Sequence, residues 1–478
     1  MVKLIVVSNR LPINVSKREG ELKFQPSVGG LATGIKSFYK SFNSIWVGWP
    51  GVFRENLSDG EKVFVEERLK HENCHPVWLS KHDVENYYYG FSNKTLWPLF
   101  HYFPTYVVHE NRFWKSYVKV NRLFADEVAK LLKPGDIVWV HDYHLMLVPR
   151  FIRDKIPDAT IGFFLHIPFP SFEIFRLLPW RKELLEGVLG ADLIGFHTYD
   201  YAKHFMESVR YILGYENSLN YIFTQDRLIR VDAFPMGIDY EKFVNMALAP
   251  NVRREVKRLK NKLKTEKVIL SVDRLDYSKG IIQKLEAYGK FLNKRPDFRE
   301  RVTLVLVVVP SRTRVEHYTR LKKKIDELVG RINGKFGTIN WMPIWYLYKS
   351  LPFHRLIALY RAADVLLVTA LRDGMNLVAK EFVAVNDAGV LILSEMAGAA
   401  KELCEALIIN PNNIPEIVNA IKVALTMENE EKIRRNKSMR ERLKRYDVIR
   451  WAQDFIERLL QIKRKQEEMI TKRLSARV

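Results

Sequence analysis

Short apolar runs of strand length recur along the whole chain, separated by helix-like segments. They are Leu4 to Val7, Ile137 to Val140, Ile161 to Leu165 and Leu193 to Phe196, then Val268 to Val272, Leu304 to Val309, Val365 to Val368 and Val390 to Leu393. Runs this apolar are buried on both faces, and their alternation with helical segments predicts parallel sheets covered by helices. A charged, helix-like stretch from about Tyr240 to Lys267 divides them into two sets. The expected fold class is α/β: two Rossmann-like doubly wound domains facing across a cleft, at 1–240 and 241–450, followed by a C-terminal helix at 451–478 whose docking stays open. The turn Phe234 to Asp239 is the expected hinge, and a length of 478 residues suits two cores better than one.

Ligands of open α/β sheets bind beyond the carboxyl ends of the strands, so the polar residues there are the candidates. Arg274-Leu275-Asp276-Tyr277-Ser278-Lys279-Gly280 follows one apolar run, and Arg372-Asp373-Gly374-Met375-Asn376-Leu377-Val378-Ala379-Lys380-Glu381 follows another. Arg274 and Lys279 supply cations, while the second stretch passes through a glycine turn into a helix start that offers backbone amides. The two read as halves of one anion-binding site suited to a diphosphate. If the residues from Asp373 to Glu381 are helical, the two carboxylates lie about 12 Å apart. That is too far for a hydrolytic pair and suits a ligand held at two points.

Other clusters are more ambiguous. Arg10 ends the first run, and Gly29-Gly30 opens a helix, either as a close approach to phosphate or sugar or as a plain turn. His141-Asp142-Tyr143-His144 gathers polar groups at one strand end. Its histidines are three apart with no third ligand nearby, so no metal is expected, and Asp142 reads as a hydroxyl-binding carboxylate. His166 ends another run between aromatic and proline residues, which favours a substrate contact. The aromatic segment Tyr87-Tyr88-Tyr89 to Trp97-Pro98 is either core or sugar platform. Arg312, after Leu304 to Val309, offers a guanidinium for a second phosphate or simply to solvent.

Composition bounds the function. A chain that is 47% hydrophobic and 28% charged is an ordinary globular protein. The apolar start, Leu4 to Val7, is too short for a signal peptide or membrane span. Cys74 and Cys404 suggest neither disulfide framework nor metal site, so a cytoplasmic location with no membrane partner is expected. The net charge of +22 invites a nucleic-acid reading. Most of the excess lies in amphipathic helix-like segments such as Arg253 to Lys264 and Lys432 to Arg445, and no nucleic-acid-binding signature accompanies it. Phosphorylated small molecules are the expected anions.

Taken together, Trp97-Pro98 through His101-Tyr102, His141 to Leu145, Gly162 to Pro170, Arg274 to Gly280, Gly330-Arg331-Ile332-Asn333-Gly334-Lys335 and Leu371 to Glu381 closely resemble the trehalose-phosphate synthase family, retaining glycosyltransferases of GT-B type with two Rossmann domains. The resemblance runs nearly end to end and loosens after about Trp451. It implies transfer of glucose from a nucleotide diphosphate glucose, usually UDP-glucose, to glucose 6-phosphate, giving α,α-trehalose 6-phosphate in the first step of trehalose biosynthesis. It implies that Arg274 and Lys279 neutralise the diphosphate while Gly29 and Gly30 close over it. Asp373, Gly374, Met375, Asn376, Leu377, Val378, Ala379, Lys380 and Glu381 would hold the donor's glucose and ribose, and the segment near Leu351 its base. Arg10, Tyr88, Asp142 and Arg312 would hold glucose 6-phosphate, with Trp97 shaping its pocket and His166 near the transferred sugar. Asp142, His166, Arg274, Lys279 and Asp373 form the implied catalytic set, with no cofactor and no obligatory metal. Because the sequence stops soon after the second domain, the product is expected to keep its phosphate for a separate phosphatase. A homo-oligomer stays open. The rival readings are a sister transferase using glycerol 3-phosphate or a cyclitol phosphate, and a silent sugar-phosphate-binding regulator.

Overall fold

The computed structural model describes residues 2–27, 43–312 and 315–475. Two compact units emerge: one comprises 1–236 together with 448–478, the other 237–447.

Among the described residues the first unit carries a nine-stranded sheet. Its spatial order is Cys74–Pro76, Ser44–Trp49, Leu4–Arg10, Ile137–His141, Thr160–Phe164, Leu193–Phe196, Leu228–Ala233, Tyr221–Phe223 and Asn217–Ser218. The first seven run parallel, and the last two join antiparallel at the far edge. The parallel strands are nearly all buried, as expected of runs that helices cover on both faces. A separate hairpin pairs Ile13–Arg18 with Glu21–Pro26.

The second unit carries six parallel strands in the order Ile344–Leu347, Val302–Val309, Lys267–Arg274, Val365–Val368, Val390–Ser394 and Leu407–Ile409. Numbered along the chain, that order is 3-2-1-4-5-6, the doubly wound arrangement. The expected runs are all strands. Sequence reasoning passed over two six-residue interior strands of the first unit, Ser44–Trp49 and Leu228–Ala233, and short outer ones such as Cys74–Pro76 and Leu407–Ile409, which are only 3 residues long.

The final helix, Val448–Ser475, belongs to the first unit. Trp451, Phe455 and Leu459 are fully buried, with Phe455 stacked on Trp139 at 4.4 Å between ring centroids. Strand glycines make the room. A β-carbon on Gly162 or Gly195 would run into the Phe455 ring, at 2.6 and 2.8 Å respectively, so these two positions admit only hydrogen. Trp451 Nε1 donates to Phe234 O at 3.1 Å, and Gln466 Nε2 donates to the buried Asp192 carboxylate at 3.1 Å. Asp192 also receives Arg153 and Arg227, at 2.9 and 2.7 Å. The helix is thus sewn into the sheet by a satisfied buried charge as well as by apolar contact.

Candidate active site

In each unit the strand order reverses at one place, and a crevice opens there beyond the carboxyl ends. In the first unit the reversal falls between Leu4–Arg10 and Ile137–His141, and in the second between Lys267–Arg274 and Val365–Val368. The polar motifs read from the sequence stand at these two places.

In the first unit, Arg10 ends its strand with its guanidinium 4.6 Å from the Trp49 ring centroid and 5.7 Å from that of Tyr88. The segment Val84–Leu96 winds as a π-helix, which buries Tyr87 and Phe91 fully while leaving Tyr88 half-buried. Of the two readings its sequence left open, core holds for Tyr87 and Phe91, while Tyr88 keeps part of its ring exposed. Tyr88 stacks on His144 at 5.6 Å with 10° between the planes, and His144 Nδ1 lies 3.9 Å from Asp142 Oδ2. Trp97 is buried and stacks on His101 at 4.0 Å, and lies 5.6 Å from Tyr143. The structure so brings Arg10, Tyr88, Asp142 and Trp97 into one neighbourhood. His144 and Trp49, which sequence reasoning did not choose, complete it.

Asp142 stands at φ +75°, a conformation that bulky residues avoid. Its amide donates to Phe164 O at 2.7 Å, and its Oδ1 accepts from the His166 amide at 3.2 Å, which fixes the turn between adjacent strand ends. His141 Nδ1 lies 3.0 Å from His166 Nε2. Burial pushes the His141 imidazolium down to about pH 3, and burial, then the neighbouring His141 and His197, hold His166 well below the ordinary histidine range.

In the second unit, the strand Lys267–Arg274 runs through Arg274, which is exposed, so Arg274 is the strand's last residue rather than just past it. The turn that follows is held by Asp276. One of its oxygens accepts from the Ser278 amide at 3.0 Å, the other from Arg312 Nη1 at 2.9 Å and Tyr318 OH at 3.3 Å. Arg312 thus lies in the second unit, its side chain 5% exposed. Gly280 sits at φ +62°, and any β-carbon there would collide with Thr369 O. That close approach joins the two motifs: Thr369 Oγ1 donates to Gly280 O at 2.9 Å, and the Leu371 amide donates to Ser278 O at 2.7 Å.

Lys279 Nζ reaches Asp373 Oδ2 at 2.6 Å, and Asn376 Nδ2 donates to the same oxygen at 2.9 Å. Helix formation begins only at Leu377, with Asn376 at φ +73° as the cap whose Oδ1 accepts from the Ala379 amide at 3.1 Å. Asp373 to Asn376 are therefore a turn, and the 12 Å helical spacing does not apply to them. The amides of Leu377 and Val378 have no acceptor inside the helix, which makes this terminus a donor pair for an anion or hydroxyl. Glu381 is half-buried and accepts from Tyr360 OH at 2.8 Å, and desolvation raises its carboxyl above the usual range. Lys380 points away from the turn into the core, paired with Glu402 at 2.6 Å. Leu351 packs against the same core as Met375, Leu377 and Val378. Gly29 and Gly30 lie outside the described residues.

Two units with mainly parallel sheets and polar clusters at their switch points define a Rossmann-like α/β protein. The sequence profile of glycosyltransferase family 20 matches residues 2–461, so the chain belongs to that family. A bifunctional trehalose-6-phosphate synthase/phosphatase of Thermoproteus tenax is 50% identical over 98% of this chain and 65% of its own length. A UDP-forming α,α-trehalose-phosphate synthase of Candida albicans is 46% identical over 96% of this chain and 97% of its own. The chain spans less than two thirds of the Thermoproteus relative, and 64% of a Dictyostelium discoideum synthase. Among solved structures, an E. coli protein bound with UDP-2-fluoro glucose aligns with a TM-score of 0.85 and 36% identity over 96% of this chain and 98% of that one. A Burkholderia xenovorans synthase in complex with glucose-6-phosphate aligns with a TM-score of 0.87 and 33% identity over 96% and 100%.

Proposed function

We propose that this chain is a retaining glucosyltransferase that moves glucose from UDP-glucose to glucose 6-phosphate, forming α,α-trehalose 6-phosphate and UDP. The observation that carries the reading is the joined turn pair of the second unit, in which Lys279, Asp373 and a capped helix start meet at the sheet's switch point. The relatives that match nearly the whole chain bear the corresponding names, and the E. coli and Burkholderia structures hold the matching ligands.

The second unit is assigned the donor. Arg274 and Lys279 stabilise charge on the departing diphosphate, and the amides of Gly374 to Val378 with Asp373 and Glu381 orient glucose and ribose. The first unit is assigned the acceptor: Arg10 takes the phosphate, and Asp142, Tyr88 and Trp97 shape the sugar site, while Arg312, which the resemblance also gives to the acceptor, belongs to the second unit and shares its charge with Asp276. His166 contacts the transferred sugar. Retention requires no enzyme nucleophile if the acceptor attacks on the leaving-group face and a donor phosphate oxygen takes its proton. The C1–oxygen bond to the diphosphate breaks as the new glycosidic bond forms. Catalysis then rests on positioning and electrostatic stabilisation. A trehalose-6-phosphate synthase that transfers its glycosyl group with retention, 36% identical to this chain, supports that stereochemistry.

No metal is needed in this scheme, because guanidinium and ammonium groups serve the diphosphate, and activity should survive chelators. The acceptor's phosphate passes unchanged into the product, so a phosphatase activity consumes it. The compartment is the cytoplasm, and among the described residues no helix is long and apolar enough to cross a membrane. A matrix of nucleotide glucoses against phosphorylated acceptors, with product identification, tests the reading. UDP release dependent on glucose 6-phosphate is the expected result.

A further inference from the structure

The two histidines at neighbouring strand ends of the first unit are close enough to share one hydrogen. His141 ends the strand Ile137–His141, His166 follows the strand Thr160–Phe164, and their rings stack at 5.3 Å with 28° between the planes. At 3.0 Å, His141 Nδ1 and His166 Nε2 form a hydrogen bond, so one of the two nitrogens carries the hydrogen and the other accepts it.

The surroundings of His141 decide which. Its ring is fully buried against Trp139 at 4.6 Å, and no described residue lies within hydrogen-bond reach of its Nε2. Were the hydrogen on His166 Nε2, His141 would have to carry its own on Nε2 as a buried donor with no protein acceptor. Orphaned buried N–H groups are rarer than orphaned lone pairs. With the hydrogen on His141 Nδ1, only a lone pair is left unmatched, and His166 must then carry its hydrogen on Nδ1. We propose that His141 is a positioning residue that fixes His166 in the Nδ1–H form, so that His166 presents a neutral hydrogen-bond donor to a hydroxyl of the transferred sugar.

This rests on the sugar-transfer reading for the identity of the acceptor hydroxyl, but not for the tautomer. Several contacts hold the pair. His166's amide is tied to Asp142 Oδ1 at 3.2 Å, and its ring meets Phe164 at 4.6 Å, His197 at 5.4 Å and Trp451 at 6.1 Å, a mostly apolar cage. His197 is itself anchored where its Nδ1 accepts from the Met236 amide at 3.5 Å. Burial keeps both members of the hydrogen-bonded pair in the neutral form that the argument requires.

The test is a long-range proton–nitrogen correlation spectrum of the full chain labelled with ¹⁵N-histidine, with the His166 signals identified by their loss in His166→Asn. Protonated Nδ1 and bare Nε2 on His166 at neutral pH are expected. A proton on Nε2, or an imidazolium, overturns the proposal. Two variants add a functional arm. His141→Asn puts an amide donor where Nδ1 stands and should retain most of the activity and the same His166 pattern. His141→Leu removes the donor and should lower kcat/KM for the nucleotide sugar roughly tenfold to a hundredfold, the worth of one to two lost hydrogen bonds. Equal activity of the Asn and Leu variants overturns the positioning role. An Nδ1-protonated His166 in a chain without glucosyl transfer would support the tautomer and refute the transfer reading instead.

Discussion

Lys279 Nζ and Asp373 Oδ2 meet at 2.6 Å across 94 positions of sequence, with side chains only 10% and 14% exposed. That contact turns two separate strand-end motifs into one structure. It also sets a constraint on mutation, because removing either partner leaves a largely buried charge facing a gap.

Lys279→Ala should therefore impair both catalysis and stability. On the proposed donor site, the loss of one preorganised cation should lower kcat by roughly 10²–10³-fold. The Asp373 carboxylate, deprived of its short Lys279 contact, should cost the fold about 1–3 kcal/mol. Steady-state kinetics and urea unfolding of Lys279→Ala, Asp373→Asn and the double variant check this. A coupling energy near zero would mean that the pair is incidental.

Gly280→Ala tests the joint between the motifs. Its backbone is left-handed and the added methyl would meet Thr369 O, so a loss of about 2 kcal/mol or more is expected. Gly334→Ala, inside the helix Glu316–Phe336 with open space around it, should be neutral or stabilising by up to about 1 kcal/mol. Equal melting temperatures for the two variants would contradict the close approach.

The final helix should behave as part of the first unit. Trp451→Ala removes a fully buried ring and its bond to Phe234 O, for a loss of about 3–5 kcal/mol. Calorimetry should show the lower-melting transition in the part that contains Trp139. A variant as stable as the parent would detach the helix from the sheet.

Acid should weaken the native state early. His141 is neutral in the fold down to about pH 3 but takes a proton near pH 6.5 once unfolded, and His166 is shifted in the same direction. Below pH 6.5 the unfolded chain thus binds more protons, and stability falls with falling pH by about 1.4 kcal/mol per unit for each such histidine. Urea midpoints between pH 7.5 and 5 measure the slope. His141→Asn should remove one histidine's share of it, and an unchanged slope would contradict the burial of that ring.

The sequence legibly carried the central strands of both units, because parallel strands buried on two faces are written as continuous apolar runs. It also carried the placing of Arg10, Asp142, Lys279 and Asp373 at strand ends. Ser44–Trp49 and Leu228–Ala233 were not read as strands, and the edge strands were not legible, since three residues such as Cys74–Pro76 leave no pattern to read. Tyr88 could not be told from Tyr87, because the face each presents depends on π-helical winding that periodicity at 3.6 does not describe. Lys380 is placed with the donor-binding residues by the resemblance. Its burial depends on Glu402, 22 residues away, and likewise Arg312 on Asp276. Pairings across such distances are set by tertiary packing, and one sequence does not display them.

The donor-by-acceptor matrix tests the central claim most directly. Purified chain is incubated with UDP-glucose and other nucleotide glucoses, each against glucose 6-phosphate and glycerol 3-phosphate, and the carbohydrate product is identified by NMR. The account predicts UDP release that depends on glucose 6-phosphate, with a doubly α-linked, still phosphorylated disaccharide as product. Turnover with glycerol 3-phosphate and none with glucose 6-phosphate, or binding of nucleotide glucoses without turnover of any, would contradict it.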